Sequence, residues 1–81
     1  MSGELTIYST VWCGYCTRLK RQLEREGIPF ADVDIEHDAE AADYVMSVNG
    51  GNQTVPTVVL PDGTALTNPS LAAVTAALRS G

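Results

Sequence analysis

A chain of 81 residues is the size of one domain, read as residues 1–81, because a single core uses roughly 50 to 200 residues. Its 44% hydrophobic and 19% charged residues are too apolar a mixture for disorder, yet no apolar run nears the roughly 18 residues of a membrane span. Five basic against ten acidic side chains leave a net charge of -5, which argues against nucleic acid and anionic membranes as partners. The opening Met1-Ser2-Gly3-Glu4 lacks the basic and apolar regions of an export signal, so a cytoplasmic location is expected.

Residues 5–8 are apolar and bounded by Ser9 and Thr10, which predicts a buried strand. From 14 to 26 the pattern is helical, with Tyr15, Cys16, Leu19 and Leu23 on one side, Arg18, Arg21 and Arg25 opposite, and Gly27 as the stop. Ala31, Val33 and Ile35 then alternate with Asp32, Asp34 and Glu36, the period of an edge strand with one wet face. Asp38 can cap a second helix whose Ala41, Tyr44, Val45 and Val48 keep helical spacing until Asn49-Gly50-Gly51. Residues 57–60 and 64–67 form a hairpin around Pro61-Asp62-Gly63. In the last helix Asn68 or Ser70 is the cap, Pro69 suits the first turn, and Leu71, Val74 and Leu78 form the buried stripe, with Arg79 near the negative end.

The order β-α-β-α-β-β-α, with a right-handed crossover, predicts an α/β, thioredoxin-like fold. A four-stranded mixed sheet in the order 2-1-3-4 is flanked by three helices. That order sets the end of strand one and the start of helix one beside the loop before Thr57.

The chemistry is expected there, at Cys13-Gly14-Tyr15-Cys16. A thiol attacks disulfides as thiolate, and free cysteine, with a pKa of about 8.5, is mostly protonated at neutral pH. At a strand-to-helix junction, unpaired N–H groups and the positive helix end lower the pKa of the first thiol. Cys13 is thus the expected exposed nucleophile, with Cys16 one turn further in and within reach. Gly14 adds an N–H and flexibility, while Trp12 and Tyr15 either wall the site or pack on their own elements. Thr54-Val55-Pro56 precedes the third strand, where a cis Val55–Pro56 bond would turn the Val55 backbone toward an incoming peptide or thiol. A zinc site needs four ligands, and beyond the cysteines only His37 is a nitrogen ligand. His37, the acidic edge and the basic helix face are read as solvated surface, with a modest attraction for anionic partners.

Trp12-Cys-Gly-Tyr-Cys16 and Thr54-Val-Pro56 in this element order resemble the glutaredoxins over nearly all of residues 5–78. More narrowly, Val33-Asp-Ile-Glu36, Val48-Asn-Gly-Gly-Asn52, Thr54-Val-Pro-Thr-Val58 and Thr67-Asn-Pro-Ser70 resemble the mycoredoxins, which serve the sugar-linked thiol mycothiol. Thr10 stands where many glutaredoxins have a lysine that holds a glutathione carboxylate. Thr67, Asn68, Pro69 and Ser70 replace the Gly-Gly and acidic cap that receive its glutamyl end. Neutral hydroxyl and amide groups suit a polyhydroxylated ligand, although each is also explained as a plain helix cap.

The resemblance implies a monomeric thiol-disulfide oxidoreductase that releases mycothiol from S-mycothiolated proteins. Cys13 is the nucleophile and Cys16 a resolving or off-path partner. Trp12, Gly14, Tyr15, Thr54, Val55, Pro56, Thr67, Asn68, Pro69 and Ser70 line the substrate. No tightly bound cofactor is implied; mycothiol is the reducing co-substrate, recycled by mycothiol disulfide reductase. Two alternatives stand beside it: a dithiol protein reductase fed by a flavoprotein, and an iron–sulfur module permitted by Gly14. Residues 38–46 are also similar to redoxins dedicated to ribonucleotide reductase, but their Ser-Gly-Phe-Arg-Pro stretch has no match at Thr67-Asn-Pro-Ser70.

Overall fold

The computed structural model describes residues 4–80, so the leader reading of Met1, Ser2 and Gly3 lies outside the described residues. The elements are β1 (Leu5–Ser9), α1 (Gly14–Arg25), β2 (Phe30–Asp34), α2 (Ala39–Val48), β3 (Thr57–Val59), β4 (Ala65–Thr67) and α3 (Leu71–Ser80). They form the expected four-stranded sheet in the order β2-β1-β3-β4. β1 runs parallel to β2 and antiparallel to β3, which pairs antiparallel with β4.

Side chains alternate across β1, so the strand serves two cores. Leu5 and Ile7 pack with Leu19 and Leu23 of α1, Val58 of β3 and Val74 of α3. On the opposite side Tyr8 and Val33 meet Ile35 and α2's Ala41, Ala42 and Val45. The Tyr8 and Tyr44 rings lie 5.3 Å apart there. Two helices thus cover one face and a single helix the other. Each buried Leu, Ile or Val contributes about 1.5–3 kcal/mol of transfer free energy.

Several boundaries differ from the sequence expectation for local reasons. α1 stops at Arg25, with Glu26 as its cap and Gly27 at φ 72, a left-handed backbone that suits glycine. Ile35 falls beyond β2 but stays buried, because its N–H reaches Ser9 O at 3.1 Å. The edge is less uniformly wet than its alternation implied. Asp32 is exposed, but Asp34 is half-buried and shapes the next turn, accepting from Glu36 N at 2.9 Å and facing His37 Nδ1 at 2.8 Å. These two contacts, the Glu36 amide first, hold the Asp34 carboxyl below the usual carboxylate range.

Val48 is exposed at the end of α2, while Ala42 takes a core position. Leu60 and Thr64 lie outside the paired strands, although Leu60 N donates to Thr64 O at 2.8 Å and closes the hairpin. Ser70 caps α3 by accepting from Ala73 N at 3.1 Å, and Pro69 precedes the helix instead of entering its first turn. Asn68 is not the cap. It sits at φ 45 and donates its N–H to Pro56 O at 2.8 Å.

Candidate active site

Antiparallel pairing sets Tyr8 opposite Thr57, so the chain leaving β1 passes the chain entering β3. Cys13 therefore comes up against Val55, and the Val55–Pro56 bond is cis. Cys13 is the N-cap of α1, with extended backbone at φ -84 and ψ 108. Its Sγ accepts from Cys16 N at 3.2 Å, and its carbonyl accepts from Thr17 N at 3.1 Å and Thr17 Oγ1 at 3.2 Å. The sulfur thus takes the place of a capping oxygen, satisfying one of the orphan amides at the helix start.

Cys13 is not the exposed residue that its position at a helix start suggested; only 7% of it is accessible. The reason is the neighbouring loop: the Cys13 thiol donates to Val55 O at 3.8 Å, placing that carbonyl over one side of the sulfur. The cis bond is as expected, and the Val55 oxygen is engaged by the chain's own Cys13 thiol. Cys16 is completely enclosed. Burial first, then the hydrogen bond with Cys13, pushes its thiol up to about 12 against a lesser opposing contact with the Thr10 backbone. Both cysteines are free thiols of unequal character. One lines a cleft, and the other is a buried group that keeps its proton.

Two clefts adjoin the start of α1. The larger, about 590 Å³, is lined by Val11, Trp12, Cys13, Gly14 and Thr17, then by Arg18, Arg21, Gln22 and Arg25. Trp12 and Tyr15 are each 69% exposed. Trp12 stands at the cleft mouth, its Nε1 donating to Glu36 Oε2 at 3.1 Å, which favours the wall reading over packing on its own strand. Tyr15 departs from the buried stripe assigned to it, because the first turn rotates its side chain outward beside Asn68, Pro69, Ser70 and Leu71. Those residues and Arg18, Leu19 and Gln22 line the second cleft, about 330 Å³, where Arg18 is the sole charged side chain. A Cβ on Gly14 would meet nothing within 4 Å, so its glycine identity answers no steric demand.

The expected site residues beyond Cys16 therefore fall into four groups. Trp12, Cys13 and Gly14 share the larger cleft, Tyr15, Asn68, Pro69 and Ser70 share the smaller, and Val55 touches the sulfur. Pro56 is buried, Thr54 O accepts from Thr57 Oγ1 at 2.8 Å, and Thr67 bonds through its hydroxyl to Asn49. Thr54, Pro56 and Thr67 hold the loop and line neither cleft. The sequence reading missed Asn49, taken only as a helix stop. Its Nδ2 donates to Val45 O at 2.8 Å and to Thr57 Oγ1 at 3.1 Å, tying α2 to the start of β3. Asn followed by two glycines was the available signal. Also missed was the reach of the arginine face into the cysteine cleft. Thr10, in place of a cation, is buried with its hydroxyl unpartnered.

Among the described residues no helix is long and apolar enough to cross a membrane, and no three His, Cys, Asp or Glu side chains gather as metal ligands. Comparison with known proteins agrees with this geometry. The chain is 56% identical over 78 residues to a Mycobacterium tuberculosis H37Rv protein designated a glutaredoxin, covering 96% of this chain and 93% of that one. It is 45% identical over 78 residues to mycoredoxin 1 of Corynebacterium glutamicum, covering 96% of each. The crystal structure of a glutaredoxin from Archaeoglobus fulgidus superposes with a TM-score of 0.77 at 26% identity, over 94% of this chain and 86% of that one. The glutaredoxin family model itself matches residues 5–64, through both cysteines and the Val55–Pro56 turn, and the chain belongs to the glutaredoxin family of thiol-disulfide oxidoreductases.

Proposed function

We propose that the chain releases mycothiol from S-mycothiolated proteins by a monothiol cycle. The observation that carries the reading is the inequality of the two sulfurs: Cys13 Sγ caps a helix and lines a cleft, while Cys16 is enclosed and its thiol is pushed up to about 12. In the first step Cys13 thiolate attacks the mycothiol-side sulfur of a protein–S–S–mycothiol adduct. The protein sulfur leaves as thiolate and takes a proton from solvent, and Cys13–S–S–mycothiol forms. A second mycothiol thiolate then attacks that disulfide, giving mycothiol disulfide and regenerating Cys13 thiolate. The net exchange consumes one free mycothiol: its sulfur and that of the mycothiol taken from the protein end joined in mycothiol disulfide, and the protein sulfur is returned as a thiol. Mycothiol is the only reductant the cycle needs, with no tightly bound cofactor, and mycothiol disulfide reductase renews it.

Each side chain has a part in that cycle. Cys16 N–H remains as a donor to the Cys13 sulfur, whereas the Cys16 thiol is a poor nucleophile while it holds its proton. Trp12 and Gly14 border the incoming disulfide, and the Val55 carbonyl covers the other side of the Cys13 sulfur. The Tyr15, Asn68, Pro69 and Ser70 cleft offers hydroxyl and amide partners to a sugar, while Thr67, bonded to Asn49, supports the loop that leads into it. Thr10 supplies no cation for a glutathione carboxylate. The likeness to mycoredoxin 1 supports the same ligand. In this reading the protein acts as a cytoplasmic monomer.

The test is steady-state reduction of one cysteine peptide carrying either mycothiol or glutathione, each supplied with its own free thiol and reductase. The mycothiol adduct is expected to turn over at least about tenfold faster in kcat/KM, the scale of one well-placed recognition difference. Equal rates, or a preference for glutathione, would contradict the assignment.

A further inference from the structure

The arginine-lined side of the larger cleft is not used by the cycle above. Arg18, Arg21 and Arg25 are exposed and follow one another along α1 at spacings of three and four residues, which puts all three on one face. The ion pairs among the described residues are Lys20–Asp32 and His37–Asp34, so these guanidiniums have no carboxylate partner within the described fold. Like charges so spaced repel one another, and they stand together on a chain whose net charge is -5. At the cysteine end the surface turns apolar: Val11 is 79% exposed and Trp12 69%. From the start of α1 at Gly14 to its end at Arg25 the face runs roughly 16 Å at 1.5 Å per residue. An extended peptide of about five residues, at about 3.3 Å each, covers that length.

On these grounds, and resting on the mixed-disulfide reading, we propose that this face is the docking surface for an acidic, extended segment of the client protein. The client's modified cysteine lies at Cys13 beside Val11 and Trp12, and carboxylates within about five residues of it pair with the arginines. Mycothiol occupies the smaller cleft beside Tyr15, where Arg18 is the sole charged side chain. The smaller cleft thus recognises the thiol and the arginine face recognises the protein that bears it. Client selectivity follows from the charge near the modified cysteine, and it is sensitive to salt because the pairing is at the surface.

The experiment compares three mycothiol mixed disulfides with the full chain. One is a cysteine peptide with glutamates at flanking positions, the second has lysines at those positions, and the third is the small neutral adduct of 2-mercaptoethanol. Each is assayed at low salt and at high salt, with wild type and with the double variant Arg21→Gln/Arg25→Gln, which leaves Arg18 and the sugar cleft intact. The expected result for wild type is an acidic-over-basic preference of about tenfold in kcat/KM at low salt, shrinking toward parity at high salt. In the double variant the preference falls to about twofold or less, while the neutral adduct reacts at the wild-type rate. Acidic and basic peptides cleaved equally by wild type, or a preference that survives in the variant, would overturn the docking surface while activity on the neutral adduct leaves the mixed-disulfide reading standing. Inactivity toward the neutral adduct would overturn both.

Discussion

The starts of α1 and α2 are built alike and put to different use. In each, the residue before the helix has an extended backbone, and its side chain accepts from the amide three residues on. At α2 the acceptor is Asp38 Oδ1, 3.0 Å from Ala41 N, and Glu40 adds a second acidic group in the first turn. At α1 it is Cys13 Sγ, 3.2 Å from Cys16 N, with no acidic residue in the first turn. A carboxylate is a strong cap that never has to leave. A sulfur caps less well, but it can exchange partners, and no acidic residue in the first turn competes with it for the positive helix end. The same local device holds one helix in place and presents a reacting atom at the other.

The widest separation between the two caps comes from Cys13→Ser. Serine is a preferred N-cap, so denaturant unfolding should report a stability change within about 0.5 kcal/mol. Disulfide exchange should fall at least about a thousandfold, since the attacking thiol is gone. A large loss of stability would mean that the sulfur's packing, more than its chemistry, explains its place.

Alkaline unfolding sharpens the difference within the cysteine pair. The Cys16 thiol is raised from 9.0 to about 12 in the fold, so between these values the unfolded chain has released a proton that the native state keeps. The native state binds more protons there, and stability falls as pH rises, by about 1.4 kcal/mol per unit. The contribution is complete below 9.0 and is lost on the way to about 12. Denaturation of wild type and Cys16→Ser between pH 8 and 11 isolates this slope from the other groups that titrate there; identical slopes would contradict the burial of Cys16.

The smaller effect lies at the other cap. Asp38→Ala should cost about 1 kcal/mol of stability, read as a shift of the denaturation midpoint, and leave turnover unchanged. A loss of turnover would show that the α2 start contributes to the site as well as to the fold.

Much of this was legible in the sequence because it follows from period and punctuation. The apolar run of β1, the alternation around β2, the stripe of Cys16, Leu19 and Leu23, the Asp38 cap and the cysteine spacing led to the correct strand order and placed the pair beside Val55 and Pro56. What failed was any property set by a partner distant in sequence. Cys13 is covered by the carbonyl of a residue 42 positions away, which no local pattern reveals. Tyr15 turns toward Asn68, Pro69 and Ser70 because β4 and α3 return to that side, so its place on a helical wheel misled. Asn49 looked like a helix stop, yet it ties α2 to Thr57 and Thr67. The arginine face was plain in the pattern. Its continuity with the cysteine cleft needed the fold.

The central claim is that Cys13 completes the cycle with an external thiol and without Cys16. The most direct measurement is turnover of a mycothiol mixed disulfide by Cys16→Ser, with mycothiol and its reductase present. Activity within about threefold of wild type is the predicted result, since Cys16 contributes its backbone N–H, which serine keeps, and not its thiol. A loss of about a hundredfold or more, in a variant that remains folded, would contradict it and assign the resolving step to the buried cysteine.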